Sequence, residues 1–186
     1  MWNSKDVSLI IVLAVLSFVY SLSIAQLPTL IVGVVGLNYI FIIGHGILIS
    51  LSLLIYKGKR WLFGFQTALL ALLMIPTFAM GIPFDVLARF PLVVAGFLSD
   101  FIFNSIYAYF CTKKMLNYWA ILAALFTIGI NPFLTVITMF FFYPPIVMTS
   151  FIQLVLLLSP VIIIEALIGG YIGFVLFNKL KNISIF

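Results

Sequence analysis

The chain has 186 residues, 66% of them apolar and only 7% charged, with a formal net charge of +5. A soluble domain is near half apolar and a quarter charged, so no soluble core could hide this much hydrocarbon and the solvent must be lipid. The basic balance does not point to nucleic acid, because the Lys and Arg residues are scattered at helix ends rather than gathered on one face.

Apolar runs separated by turn or charge signals predict an all-α membrane protein, a single domain over 1–186. The six expected spans are 7–25, 38–56, 61–80, 91–110, 117–140 and 149–178. Each is long enough to cross about 30 Å at about 1.5 Å per residue. Span one carries a small-residue stripe, Ala14, Ser17 and Ser21. The stripe suits internal packing or, alternatively, docking on another membrane protein. SIAQ at 23–26 is a rival signal, a small-residue cleavage site whose use would leave five spans. The following segment, 26–38, is apolar but broken by Pro28, Gly33, Gly36 and Asn38, and reads as a cover or re-entrant piece.

Span two contains His45 and ends at Lys57, Lys59 and Arg60. The stretch 80–91 places Asp85 and Arg89 at i, i+4 before span four, with Pro91 suited to that helix's first turn. This pair is either an interfacial salt bridge or a place where Arg89 receives an anionic group. Span four carries Asp100, with Asn104 one turn on to orient it, then Cys111, Lys113 and Lys114. Asn131-Pro132 in span five and Gln153 in span six are further polar candidates, and FFYPP at 141–145 caps span five. Span six is over-long, so it should tilt or break, with Pro160 the expected place. It holds Glu165 beside Ala166-x-x-x-Gly170 and Gly169-x-x-x-Gly173, a packing device in lipid. Asn182-Ile183-Ser184 matches a glycosylation sequon but falls on the inner side of the expected topology.

With six spans, Lys5 and the basic groups after spans two, four and six all fall on one side, leaving Arg89 as the outer exception. The positive-inside rule makes that side cytoplasmic, with both termini inside and the protein multi-pass in the cell membrane. The intramembrane ionisable residues His45, Asp100 and Glu165 are site candidates by default. They lie 12, 13 and 14 residues from Lys57, Lys113 and Lys179. Counted that way, all sit at one depth, slightly outside the midplane. They line one polar pocket, or each is separately neutralised as a structural element, or they relay protons or ions. One His and one Cys cannot build a usual zinc or copper site or a disulfide framework. No phosphate-binding loop, serine elbow or paired catalytic Asp motif occurs, so no catalysis, cofactor or metal is expected.

The apolar loop 26–37, the polar residues of spans four to six and LIGGYIG at 167–173 together resemble the substrate-binding S components of energy-coupling factor transporters. That resemblance implies six helices, both ends inside, and an outer-half pocket for a vitamin-like solute or metal ion. Loop 26–37 would be the lid, and His45, Arg89, Asp100, Asn131 and Glu165 the binding residues. It also implies a membrane coupling subunit and ATPase subunits as partners. In that family the first helix carries an A-x-x-x-A face for the coupling subunit; here Ala14 is followed four on by Phe18, so that motif is not met, and Ser17-x-x-x-Ser21 is a loose substitute. The alternative function is a non-transporting accessory subunit of a larger membrane complex.

Overall fold

A computed structural model describes residues 2–33, 37–79 and 81–182, and they are helical wherever they are regular. Val34–Gly36 of the expected lid and the Ser184 end of the sequon lie outside the described residues. The elements are α1 (Ser4–Tyr20), a π-helical turn (Ser21–Ala25), α2 (Leu27–Val32), a 3-10 turn (Leu37–Phe41), α3 (Ile43–Tyr56), α4 (Leu62–Met74), α5 (Val86–Thr112), α6 (Leu116–Phe142) and α7 (Pro145–Asn182). Four apolar helices are long enough to cross a membrane: Ser4–Val32 with its internal π turn, α5, α6 and α7. The two remaining apolar helices, α3 and α4, are shorter. At about 1.5 Å per residue they reach roughly 20 Å each, less than a bilayer core.

Local chemistry explains the helix ends. Asn3 and Asp6 form a reciprocal capping box at the start of α1, and Lys59 closes on Asp6 at 2.7 Å. Gly33, in the left-handed region at φ 75°, ends α2. Helix α4 stops at Met74 because Pro76 follows, and Asp85 caps α5, which starts one turn earlier than expected and places Pro91 inside it. Helix α7 is continuous over 38 residues. The expected break at Pro160 does not occur, and the helix simply exceeds the bilayer at about 1.5 Å per residue.

Helices α1, α4, α5, α6, α7 and α3 form a ring in that order, with α3 returning to α1 and also touching α6 across the middle. The glycine stripe of α7 permits the closest approach. A Cβ at Gly169 would lie 2.5 Å from the carbonyl oxygen of Ile43, and one at Gly170 would lie 2.7 Å from Cα of Ile121. The stripe therefore seats α7 in the crevice between α3 and α6, with α3 and α7 parallel. The basic residues, Arg89 apart, gather at one end, where Asp6 meets Lys59 and Asn104 meets the Lys59 carbonyl. The half of the bundle nearest this end is filled by Tyr56, Phe63, Phe103 and Trp119. Two adjoining voids reach the bundle interior in the opposite half.

Candidate functional site

The predicted site residues do not form one pocket. Asp100, fully buried, accepts hydrogen bonds from the backbone N–H groups of Trp61 (2.6 Å), Phe63 (2.7 Å) and Gly64 (3.1 Å), and from Asn104 Nδ2 (2.9 Å). It is the cap of α4, whose own N-cap residue, Trp61, offers no side-chain acceptor. Its four donors leave no capacity for a solute.

Glu165 plays the same part for α3. Its Oε2 accepts from the N–H groups of Ile42 (2.6 Å) and Ile43 (3.0 Å), while the next N–H, Gly44, donates to Tyr20 Oη at 3.1 Å. Both acids thus neutralise the positive ends of short helices that start inside apolar surroundings. They belong to opposite halves of the bundle, Asp100 beside the basic turn 57–61 and Glu165 at the far end of α3.

Arg89 is also committed. Its Nη1 donates to the carbonyls of Ile82 (2.6 Å) and Asp85 (2.7 Å), and its Nη2 to Thr77 (2.8 Å) and Ala79 (3.1 Å), with longer contacts to Met74 and Gly81. The guanidinium gathers the carbonyls that α4 and the 75–85 turn would otherwise leave unpaired. It forms no salt bridge with Asp85 among the described residues. The Asp85 carboxylate instead caps Ala88 and accepts from the Tyr143 hydroxyl. Burial, and then that carboxylate, raise the Tyr143 phenol above its ordinary range. Both Nη groups of Arg89 are therefore spent on carbonyls, while its Nε is buried without a partner among the described residues.

The stripe Ala14, Ser17 and Ser21 is buried inside the chain, Ala14 against Leu70 and Met74 of α4. A docking face must be exposed, so this one is unavailable to a partner. The residues of α1 turned outward are Ile11, Val15, Val19 and their neighbours.

His45 and Asn131 do meet at a void. A cavity of about 50 Å³ lies in the half away from the basic end, lined by both and by Ser21, Gln26, Asn38 and Thr127, with apolar walls from Tyr39, Ile42 and Ile128. It has no Asp, Glu, Lys or Arg in its wall. His45 Nε2 lies 2.9 Å from Ser21 Oγ, while its Nδ1 and the Oδ1 of Asn131 are buried without a hydrogen-bond partner among the described residues. Both atoms are enclosed by protein rather than open to the cavity, whose lining includes the side chains that carry them. The wall from Ser21 to Ala25 is the π turn, an element that recurs at functional sites.

A second, larger cavity of about 250 Å³ adjoins it, sharing Asn38 and Tyr39. Its walls come from the 81–91 segment, the far end of α6 and the start of α7, and include Asp85, Thr135, Thr138 and Tyr143 among mostly apolar side chains. Gln153 is exposed and lies instead on an open groove outside the α6–α7 hairpin. Sequence reasoning missed Gln26, Asn38, Thr127 and Tyr143. The first two were visible as polar residues flanking an apolar loop, but nothing local tied them to His45. No protein-family model matches the chain, and neither a curated protein nor a solved structure gives a significant match.

Proposed function

We propose that the protein is the membrane-embedded binding component of a transporter. In this reading it crosses the cell membrane six times with both termini inside. It captures a small solute from outside, and a membrane coupling subunit and ATPase subunits drive its release inward. The observation that carries the reading is the pair of adjoining cavities in the half away from the basic end, the inner one lined by His45, Asn131, Ser21, Gln26, Asn38 and Thr127. A mostly apolar pocket with a few convergent polar groups is the usual form of a small-molecule site. The site residues are His45, Asn131, Ser21, Gln26, Asn38 and Thr127, and Asp100, Glu165 and Arg89 hold the frame around them. Helix α2 is the cover, joined through Gln26 to the cavity wall. An accessory subunit needs no such void, and the unfilled interior weighs against that alternative.

The test is mass spectrometry of small molecules released by denaturing protein purified from its native membrane. A solute other than lipid should be found with the unaltered protein and be depleted at least about tenfold in an Asn131→Leu variant that remains folded. Recovery of lipid alone from both proteins would remove the proposal.

A further inference from the structure

The end of the bundle that holds the cavities has almost no charged surface. Segments 22–41, 75–91 and 132–152 contain only Asp85 and Arg89 as charged residues, the first half-buried and the second buried. At the opposite end Lys5, Lys57, Lys59, Arg60, Lys113 and Lys114 are all exposed. The larger cavity reaches the surface within the uncharged end, where its wall carries the exposed side chains Ile82, Leu87 and Val147. From there it continues inward along the buried Pro91 and Phe151 to Asn38 and Tyr39, which it shares with the smaller void. The opening is thus bordered by hydrocarbon from the start of α5 on one side and the start of α7 on the other.

A charged solute finds no compensation along this path. Asp85 is the one charged residue in the wall, and each of its carboxylate oxygens already has a donor, the Ala88 N–H or the Tyr143 hydroxyl. The Arg89 guanidinium, 2.7 Å from the Asp85 carbonyl oxygen, stands close enough to offset that carboxylate against an incoming cation. An anion would meet Asp85 in a wall that holds no Lys or Arg. The smaller void has no Asp, Glu, Lys or Arg at all. Either kind of ion would therefore lose its hydration without repayment. A metal ion fares no better, because no three His, Cys, Asp or Glu residues stand together among the described residues. An apolar body, by contrast, gains by burial in the larger cavity of about 250 Å³. The smaller void of about 50 Å³, with its uncharged polar residues, suits a neutral head such as a hydroxyl. We infer that the site, as read under Proposed function, takes an uncharged lipophilic solute, admitted between the starts of α5 and α7.

Three probes of nearly one shape test this: naphthylmethanol, naphthoate and naphthylmethylammonium. Their binding is measured on the full chain in lipid nanodiscs, and empty nanodiscs give the partition into lipid, which is subtracted. The alcohol should then bind saturably, at least about tenfold more tightly than either charged probe. Val147→Trp places a bulky ring at the opening, on a side chain that is already exposed. It should slow association of the alcohol at least about tenfold. Unaltered association in a folded Val147→Trp protein overturns the entry path, and if that variant does not fold, the comparison of probes on the unaltered protein still decides the class of solute. Equal or tighter binding of the carboxylate or the ammonium overturns the inference while leaving a solute-binding cavity. Binding of none of the three overturns both the inference and the solute-binding reading.

Discussion

Asp100 and Arg89 sit on one helix, 11 positions apart, and serve the two ends of another. Helix α4 runs antiparallel to α5 over 13 residues, and Asp100 meets its N-terminal N–H groups while Arg89 meets the Met74 carbonyl and the turn beyond it. The separation of the two charges matches the length of the helix they bracket, at about 1.5 Å per residue. The negative group faces the positive helix end and the positive group the negative end, so each charge is compensated where water is scarce. Replacing Asp100 by alanine would leave the Trp61, Phe63 and Gly64 N–H groups unpaired in an apolar interior. The expected loss is about 3–5 kcal/mol, and Asp100→Asn, which retains one acceptor oxygen, should lose about half as much. Denaturant unfolding in detergent, followed by Trp61 fluorescence in a variant without the other tryptophans, measures both. An unchanged midpoint in Asp100→Ala would contradict the capping role. The polar character of these residues was legible in the sequence, but their partners were not. The N–H groups that Asp100 serves lie 36 to 39 positions away, and backbone donors carry no sequence signature.

At the scale of elements, the glycine stripe of α7 was legible, because small residues four apart on an apolar helix have few uses other than close packing. Gly173 faces α3, where an added Cβ would stand 2.7 Å from the Ile47 carbonyl oxygen. That oxygen belongs to a helix backbone and cannot step aside. Gly173→Val should separate α3 from α7 and lower stability by about 1–3 kcal/mol, read as a drop in thermal midpoint of the purified protein. Val substituted at Leu157, whose side chain is exposed, should leave the midpoint unchanged. Helix depth was less legible. Counting residues to the nearest Lys assumes that every basic turn lies in one plane. The turn 57–61 is instead held against Asp100 and Asn104 of α5, nine positions short of Lys113. At about 1.5 Å per residue this puts the two basic groups roughly 13 Å apart along the helix axis. The apparent common depth of His45, Asp100 and Glu165 came from that assumption.

For the whole molecule, the ring of helices is packed with aromatic side chains near the basic end and hollow at the other. If the basic end faces the cytoplasm, Cys111, the sole cysteine and an exposed one, should react with a membrane-impermeant maleimide only in inside-out vesicles. A Cys111→Ser, Ile82→Cys variant should label only from the outside, and the reverse pattern would invert the topology. The sequence by itself determined the solvent, the helical class and the gathering of basic residues at one end. These follow from composition and from the 1.5 Å helical rise, which act along the chain. It also marked the ionisable residues within the spans, His45, Asp100 and Glu165, that lipid would not tolerate unpaired. Only the tertiary structure decided which of them are spent on the frame and which remain open. That division depends on where helix ends and hydroxyl protons fall between distant segments: Glu165 reaches Ile42 and Ile43, and Ser21 reaches His45. A buried carboxylate is structural when a distant segment's N–H groups already fill it, and no pattern local to the chain shows that they do.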